Sequence, residues 1–316
     1  MDKSLIDNFT NSNNIKRILI LGHTGFIGSH LEKHLRCLSP KIEVVGRSLP
    51  DIDLTKEKEA VNLSDLFDLE TAVIMCAAIK RQFGDNLSSF WQNLSMSVNL
   101  CRLLERRPVR RFIFFSSTAI YGEDIHNSNI TEQTPACPTS YYGMAKYTSE
   151  KLFSKVMNQP EQSPLLILRP PLIYGPGDLA ATYGPAGFVK ATLEKEQIRL
   201  WGDGSERREF IFVEDIVEIV CRLSFSEYAG VLNVASGRSY TFENIIEIIS
   251  SLVPYGLKVT SRPRTKKKVD NEFCNRRFLS LLADFSFTGL EEGIKRTVVA
   301  ESQRFAAVNC NSKSKE

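Results

Sequence analysis

The sequence of 316 residues lacks long apolar runs, closely spaced cysteines and an excess of charge of one sign. No apolar run approaches the ~18 residues of a membrane-spanning helix, so none is predicted. The seven cysteines contain no Cys-x-x-Cys pair, which argues against a disulfide framework and fits a reducing compartment. A formal net charge of +3 predicts neither nucleic acid nor a membrane surface as a partner. The polar start, MDKSLIDNFTNSNN, is unlike a signal peptide, so a cytoplasmic location is expected.

Histidine is also scarce, and two of the four histidines, His30 and His34, are four residues apart on a predicted helix. Metal sites need a fuller set of nitrogen, sulfur or carboxylate ligands than this pair offers. A solvated helix face is therefore favoured, and no metal is predicted.

What the first half does contain is a regular alternation of short apolar runs and longer amphipathic stretches. The apolar runs lack polar alternation, as strands buried on both faces do; they are Arg17–Leu21, Ile42–Val45, Ala72–Met75, Arg111–Ser116 and Leu165–Arg169. Helices are predicted between them at Phe26–Leu38, Leu87–Arg106 and Ser140–Met157. This order predicts an α/β fold with a Rossmann-like, doubly wound parallel sheet.

After Arg169 the sequence becomes rich in proline and glycine, which ends the regular alternation. Shorter strands and helices follow, typical of a smaller mixed α/β lobe. We predict a first domain of residues 15–169 with a return segment 210–234, a lobe of residues 170–209 and 235–300, and tails 1–14 and 301–316.

The stretch GHTGFIG joins the first strand to the first helix and places Gly22, Gly25 and Gly28 three residues apart. Glycine suits a sharp turn and a close approach of backbone to a diphosphate, and the helix start at Phe26 and Ile27 supplies free N–H groups. The alternative is a plain strand-turn-helix. The position between strand and helix favours a dinucleotide site. The first domain is therefore predicted to bind NAD(P), and the lobe to bind the substrate.

The end of the second strand bears on the choice of dinucleotide. Arg47 and Ser48 follow the strand with no carboxylate beside them, and an arginine suits a 2′-phosphate. This favours NADP over NAD. Asp51 and Asp53 lie close behind and keep NAD as the alternative, while Arg47 as an ordinary surface charge is the simpler interpretation.

Candidate catalytic groups are Ser117, Tyr142 and Lys146. Ser117 lies where a buried strand ends, at the edge where such sheets bind ligands. Tyr142 and Lys146 are four residues apart and share a helix face, whereas Tyr141 is four residues before Ala145. A nearby ammonium and an oxidised nicotinamide favour the phenolate, so Tyr142 can exchange a proton with a sugar hydroxyl that Ser117 orients. Lys146 is also placed to hold the nicotinamide ribose. An incidental Tyr/Lys pair is the alternative.

Together these motifs resemble the extended short-chain dehydrogenase/reductase family, in its nucleotide-sugar epimerase/dehydratase branch. The resemblance covers about residues 15 to 300. It is carried by GHTGFIG, CAA, NLSMSVNLCRLLE, SSTAIYG, YGMAK, LRPPLIYGPGD, WGDGSERREFIFVEDI, NVASG and RPRTKKKVD.

The resemblance implies further binding roles. It places Asp53 and Leu54 at the adenine, and Ala77 and Asn93 near the cofactor. It implies that Thr118, beside Ser117, contacts the substrate and that Arg208 and Arg262 bind the diphosphate of a nucleotide-diphosphate sugar. A solvated basic face is the alternative for the RPRTKKK stretch.

Departures from the family pattern reduce the number of reactions that are expected of this chain. The Asp-Glu pair of the 4,6-dehydratases is replaced by Thr118 and Ala119, and the decarboxylating members' glutamate is absent too. Dehydration and decarboxylation are therefore not expected. Leu172 replaces an asparagine of the diphosphate loop, and Met96-Ser97 replace a Gly-Thr pair.

Three functions stay open at this point. The first is a nucleotide-sugar epimerase, acting at C4 through a transient ketone. The second is an NADPH-dependent 4-ketoreductase of a 4-keto-6-deoxy nucleotide sugar, which Arg47 favours. The third, of another class, is a non-catalytic nucleotide-binding protein. The resemblance also implies a homodimer through the helices Leu87–Arg106 and Ser140–Met157.

Overall fold

The fold is described from a computed structural model, which describes residues 14–38, 41–158, 163–178, 183–264 and 267–313. Contacts divide the chain into two compact units. The first contains residues 1–123, 132–170 and 216–234, and the second contains residues 124–131, 171–215 and 235–316.

The first unit is built on a six-stranded parallel sheet. Its strands are β1 (Arg17–Leu21), β2 (Glu43–Arg47), β3 (Thr71–Met75), β4 (Arg111–Phe115), β6 (Leu165–Arg169) and β10 (Gly230–Asn233). They lie in the order β10-β6-β4-β3-β1-β2, and every neighbouring pair is parallel. The predicted Rossmann-like α/β fold is confirmed.

Helices connect these strands close to the predicted positions. They are α1 (Phe26–Leu38), a short α2 (Glu57–Ala60), α3 (Leu87–Arg106), α4 (Tyr141–Met157) and α6 (Val213–Ser224). Asn86 starts α3 with a capping box, accepting from the Ser89 N–H at 3.0 Å. Ser140 starts α4 by accepting from the Gly143 N–H at 3.0 Å. Such caps satisfy N–H groups that a helix start leaves unpaired.

Aromatic packing fixes α4 against the sheet. Phe153 of α4 is fully buried, with its ring centroid 4.8 Å from that of Phe112 and 5.0 Å from that of Phe114, both on β4. Burying a side chain of this size contributes about 1.5–3 kcal/mol. The packing holds the start of α4 in register with the end of β4, where the candidate catalytic groups lie.

The second unit contains three small sheets. β7 (Leu172–Tyr174), β9 (Arg207–Phe212) and β11 (Ser239–Thr241) form one; β8 (Ile198–Trp201) pairs with β12 (Val259–Arg262), and β5 (Asn127–Ile130) pairs with β13 (Asn271–Phe273). Its helices are α5 (Pro185–Leu193), α7 (Phe242–Leu252), α8 (Arg276–Leu281) and α9 (Leu290–Lys313). Its core includes Phe188, Phe210 and Phe242.

Three segments differ from the sequence-based boundaries. Residues 124–131, predicted within the first domain, group with the second unit, where β5 pairs with β13. β9 pairs with β7 and β11 instead of joining the six-stranded sheet, so residues 210–215 group with the second unit. The predicted tail over 301–316 is helical in residues 301–313, because α9 continues to Lys313. The stretch AESQRFAAV within it is rich in residues that favour helices. The rest of that tail, and residues 1–13 of the N-terminal one, lie outside the described residues.

Within the described part of the chain, no helix has the length and apolar character needed to cross a membrane.

Candidate active site

The end of β4 carries the first candidate group. Ser117 leaves the strand and caps a short 3₁₀ turn, Thr118–Tyr121, by accepting from the Ala119 N–H at 3.2 Å. The neighbouring Thr118 N–H donates to the Pro170 carbonyl at 3.1 Å. These bonds hold the Ser117 hydroxyl at the carboxyl end of the parallel strands, the edge where ligands bind in such sheets.

Tyr142 and Lys146 face this strand end from α4. The Ser117 hydroxyl hydrogen-bonds the Tyr142 phenol. The Lys146 ammonium donates to the Phe115 carbonyl at 2.6 Å and lies 5.7 Å from the centre of the Tyr142 ring. The structure therefore brings together the three groups that the sequence singled out.

Tyr141 points elsewhere. It is exposed, and its ring centroid lies 6.4 Å from that of Phe90 on α3. The helix thus separates the two adjacent tyrosines, one toward the strand end and one toward the surface.

Electrostatics at Tyr142 differ from the expectation of a lowered pKa. Burial, and next the charge of Glu123, raise the pKa of Tyr142, while the hydrogen bond from Ser117 acts in the opposite direction. Burial also lowers the pKa of Lys146 to about 8, which Cys76 and next Glu150 partly counter. The protein's own groups therefore hold Tyr142 as a phenol at neutral pH, and its deprotonation requires a further positive charge nearby.

A buried ion pair that the sequence analysis missed lies beneath Lys146. Glu150 is four residues further along α4 and binds Arg169, the last residue of β6, through both carboxylate oxygens at 2.9 and 2.6 Å. Glu150 also accepts a hydrogen bond from the Ser116 hydroxyl. Two features of the sequence could have pointed to this pair. Glu150 lies four residues after Lys146, as Tyr142 lies four residues before it, and Arg169 ends a predicted strand.

The glycine turn has the geometry that a diphosphate requires. Gly22 adopts a positive φ of 91°, and a Cβ at Gly28 would lie 2.2 Å from the Gly22 carbonyl oxygen. Helix α1 therefore starts tight against the turn, with Phe26 and Ile27 in its first turn. The first N–H groups of a helix have no partner within it, and together with the helix dipole they suit a diphosphate. These residues fit a dinucleotide.

The end of β2 is joined directly to this turn. The Gly22 N–H donates to the Arg47 carbonyl at 2.8 Å. The Ser48 hydroxyl oxygen accepts from the Thr24 N–H at 3.2 Å and is hydrogen-bonded to Nδ1 of His23 at 2.9 Å. Ser48 thus links two segments, while the Arg47 guanidinium donates to the adjacent Gly46 carbonyl at 2.8 Å.

The other predicted cofactor residues lie in the same unit. Ala77, just after β3, donates its N–H to the Leu21 carbonyl at 2.9 Å. The buried Asn93 side chain accepts from the Ile79 N–H at 2.8 Å and donates to the Ile79 carbonyl at 3.0 Å, which fixes the loop after β3.

Asp53 and Leu54 follow β2. Asp53 accepts from the Thr55 hydroxyl at 2.7 Å, and this bond lowers the pKa of Asp53. Leu54 is buried, and its carbonyl accepts from the Asn99 side chain at 2.9 Å. Asp53 therefore has a local structural role beside the predicted one at the adenine.

The two predicted substrate arginines belong to the second unit. Arg208, on β9, is paired with Glu206 and also donates to the Val269 carbonyl. Glu206 binds Arg264 as well, at 2.6 Å. Arg262 ends β12, and its guanidinium lies 3.5 Å from the centre of the Trp201 ring. The sequence singled out the two arginines but not the carboxylate and the indole that position them.

The six-stranded parallel sheet and the glycine turn define a Rossmann-like fold of the type found in extended short-chain dehydrogenases/reductases. The model of the NAD dependent epimerase/dehydratase family matches residues 18–235, and the chain belongs to this family.

Individual relatives are similar over most of the chain. GDP-L-colitose synthase from Yersinia pseudotuberculosis is 24% identical over 308 residues, covering 89% of this chain and 96% of that protein. A putative UDP-glucose 4-epimerase from Methanocaldococcus jannaschii is 25% identical over 307 residues, covering 89% and 97%.

Among solved structures, MoeE5 in complex with UDP-glucose and NAD has a TM-score of 0.80 and 23% identity. The match covers 92% of this chain and 99% of that one. At this identity the likeness establishes the fold.

Proposed function

We propose that the chain is an NAD(P)-dependent nucleotide-sugar epimerase acting at sugar C4 through a transient ketone. The observation that carries the proposal is the placement of the Ser117 hydroxyl on the Tyr142 phenol, with Lys146 on the same helix face. The replacement of the Asp-Glu pair by Thr118 and Ala119 argues against dehydration.

Tyr142 is the proposed acid and base. As a phenolate it takes the proton of the C4 hydroxyl while hydride leaves C4. Once the ketone has turned over in the site, hydride would return to the opposite face of C4, and Tyr142, now a phenol, would give the proton back to the same oxygen. Ser117 hydrogen-bonds the same oxygen and fixes its orientation, and Thr118 contacts the sugar beside it. Lys146 keeps a positive charge near the phenolate, which lowers the free energy of the charged form.

A nicotinamide dinucleotide is the proposed cofactor, and when bound it accepts a hydride from C4 and returns it. The glycine turn, with Gly22, Gly25, Phe26, Ile27 and Gly28, would hold its diphosphate. Asp53 and Leu54 would border the adenine. Ala77, Asn93 and Tyr142 would also contact the cofactor, and Lys146 would hold the nicotinamide ribose.

Two arginines are proposed for the substrate's diphosphate. Arg208 and Arg262 carry the charge, and their neighbours Glu206 and Trp201 hold the guanidinium planes. Planar guanidinium groups bind diphosphate oxygens through paired hydrogen bonds. The relatives differ in the sugar nucleotide that their names give, so the base and the sugar are left open in this proposal.

Reduction of a 4-keto-6-deoxy nucleotide sugar by NADPH is the second candidate. Arg47 favours it, because a guanidinium at the end of β2 suits a 2′-phosphate and a net reductase consumes NADPH. The same Ser117, Tyr142 and Lys146 would serve, with Tyr142 acting only as the acid.

The expected result at Arg47 is a change in cofactor preference. In Arg47→Ala we expect NADP affinity to fall about 10- to 100-fold, because a charge-assisted hydrogen bond contributes about 1.5–3 kcal/mol. NAD affinity should change little. Isothermal titration with each dinucleotide measures this, with Arg36→Ala on α1 as the control. Equal losses for both dinucleotides would remove Arg47 from the 2′-phosphate site.

Product analysis separates the two functions. The purified protein is tested with a panel of nucleotide sugars and 4-keto nucleotide sugars, with NAD and NADP each supplied. The epimerase proposal expects a C4 epimer with no net change in cofactor absorbance. Consumption of NADPH by a 4-keto sugar, with no epimer formed, would replace it by the reductase. Absence of turnover throughout would favour a nucleotide-binding protein.

A homodimer is proposed through α3 and α4. Leu87 and Trp91 on α3, with Tyr141 and Met144 on α4, are exposed apolar side chains near the starts of these helices. Sedimentation analysis gives the mass that tests this assembly.

A further inference from the structure

The pair Glu150–Arg169 is the most deeply buried ion pair described in the first unit. The side chains of Arg169 and Glu150 are only 8% and 3% exposed. A buried pair of this kind gives little net stability, because desolvation offsets the attraction. Its presence beside the candidate catalytic groups therefore calls for a role other than holding the fold together.

The Glu150–Arg169 pair matters because Glu150 is one of the groups that face Lys146. From α4, Tyr142 and Glu150 face Lys146, one turn to either side. From β4 come the Phe115 carbonyl at 2.6 Å and the Phe114 ring centre at 4.8 Å. Cys76, after β3, also faces it.

Of the groups facing Lys146, Cys76 and Glu150 are the two whose negative charge would raise its pKa. Burial raises the pKa of the Cys76 thiol to about 12, so this group is neutral at physiological pH. Burial also works against a charged Lys146, while the charge of Glu150 favours it. The carboxylate is in turn balanced by Arg169, whose guanidinium donates to the Tyr121 hydroxyl at 2.7 Å and to the Glu132 carbonyl at 3.4 Å.

Glu150 also reaches the strand end that carries Ser117. Its Oε1 accepts from the Ser116 hydroxyl and from Nε of Arg169. Ser116 immediately precedes Ser117, and its N–H donates to the Leu168 carbonyl at 2.8 Å. One carboxylate thus touches the residue before Ser117 and faces Lys146.

We propose that Glu150 is a positioning residue that keeps Lys146 charged and fixes the Ser116–Ser117 strand end against α4. Arg169 holds the Glu150 carboxylate in place through two hydrogen bonds. Glu150 is eight residues, about two helical turns, after Tyr142, so it acts on the tyrosine through Lys146. The proposal deepens the proposed function, since it rests on the catalytic role of Tyr142 and Lys146.

The charge balance predicts the direction of the effect. In Glu150→Gln the carboxylate charge is lost while Arg169 stays positive. Lys146 then faces an unbalanced cation in a buried setting, so it loses its proton at lower pH. With less positive charge beside it, the Tyr142 phenolate is harder to form.

A measurement on Lys146 itself tests this without any substrate. The Cε and Nζ resonances of Lys146, assigned by their absence in Lys146→Met, are followed by NMR as the pH is raised. We expect a midpoint near pH 8 in the unmodified protein, and a midpoint lower by about 1 unit in Glu150→Gln. The control is Glu218→Gln, which breaks a surface pair with Arg222 on α6 and should leave the midpoint unchanged. An unchanged midpoint in Glu150→Gln overturns the proposal.

A double variant separates an effect of charge from an effect of altered packing in Glu150→Gln. Glu150→Gln/Arg169→Gln removes both charges together, and the Lys146 midpoint should return toward its original value. A midpoint that stays low in the double variant would show that packing, and not charge, is responsible.

The positioning of the strand end is tested separately with Ser116→Ala. This variant keeps both charges and should lower kcat about 10- to 100-fold at unchanged KM, because reacting groups are sensitive to small displacements. An unchanged kcat would remove the strand-end part of the proposal. If the Lys146 midpoint shifts as expected but no nucleotide sugar is converted, the proposed function fails while the role of Glu150 stands.

Discussion

Replacing Tyr142 by phenylalanine should lower kcat about 10²- to 10⁴-fold, the usual contribution of a positioned general acid or base. The change removes one hydroxyl from a side chain that packs against Lys146 and hydrogen-bonds with Ser117. Because the ring remains, dinucleotide affinity should stay within a few-fold of the original. Initial rates with the converted substrate, together with titration of the dinucleotide, measure both effects.

The adjacent tyrosine is a matched control for this experiment. Tyr141→Phe removes the same hydroxyl one position earlier, from a side chain that is 41% exposed and packs near Phe90. Its kcat should stay close to that of the unmodified protein. Equal losses in the two variants, or full activity in Tyr142→Phe, would contradict the assignment of Tyr142 as the proton-transfer group.

The second large effect is expected at Gly28, where helix propensity and packing predict opposite results. Alanine normally stabilises a helical position by about 0.5–1 kcal/mol relative to glycine. At Gly28, however, a Cβ would lie 2.2 Å from the Gly22 carbonyl oxygen, so the turn must shift. We expect Gly28→Ala to lower the free energy of unfolding by about 1–3 kcal/mol and to abolish measurable dinucleotide binding. Chemical denaturation and calorimetric titration test the two parts.

Gly289 provides the comparison. A Cβ at this position meets nothing within 4 Å, so Gly289→Ala isolates the effect of removing a glycine from that of a clash. Because Gly289 caps the start of α9, where alanine is less favoured than glycine, stability should fall by no more than about 1 kcal/mol, and dinucleotide binding should be unchanged. If Gly28→Ala proves as stable as Gly289→Ala, the turn adapts to a side chain, and the close approach is not what the diphosphate site requires.

Most of the first unit could be predicted because its signals are local. Buried parallel strands are continuous apolar runs, and β1 and β6 occur at the predicted residues. Helix α4 begins one residue after the predicted start because Ser140 is its cap. The proximity of Ser117, Tyr142 and Lys146 could be predicted for the same reason, since a strand end and a four-residue spacing place them without knowledge of the fold.

The missed features depend on residues distant in sequence. The four-residue spacing from Lys146 points to Glu150, but nothing in the sequence indicates that Arg169, which ends a different strand, will bind it. Likewise, the partner strands of β9 are set by tertiary pairing, so the sequence alone did not show that residues 210–212, predicted to return to the first domain, pair outside the main sheet. The raised pKa of Tyr142 has the same origin, because burial and the charge of Glu123 act only in the folded chain.

The hydrogen bonds between the glycine turn and the end of β2 have a consequence for any redesign of this enzyme. Gly22 is tied to the Arg47 backbone, and Thr24 and His23 are tied to the Ser48 side chain. The segment proposed to discriminate between NAD and NADP is therefore hydrogen-bonded to the segment proposed to bind the diphosphate that both dinucleotides contain. Cofactor selectivity and diphosphate binding are therefore coupled through these hydrogen bonds, so replacing Ser48 to change the selectivity will also weaken the binding of the diphosphate. Substitutions of the Arg47 side chain leave these hydrogen bonds intact, because Arg47 contacts the glycine turn through its backbone carbonyl.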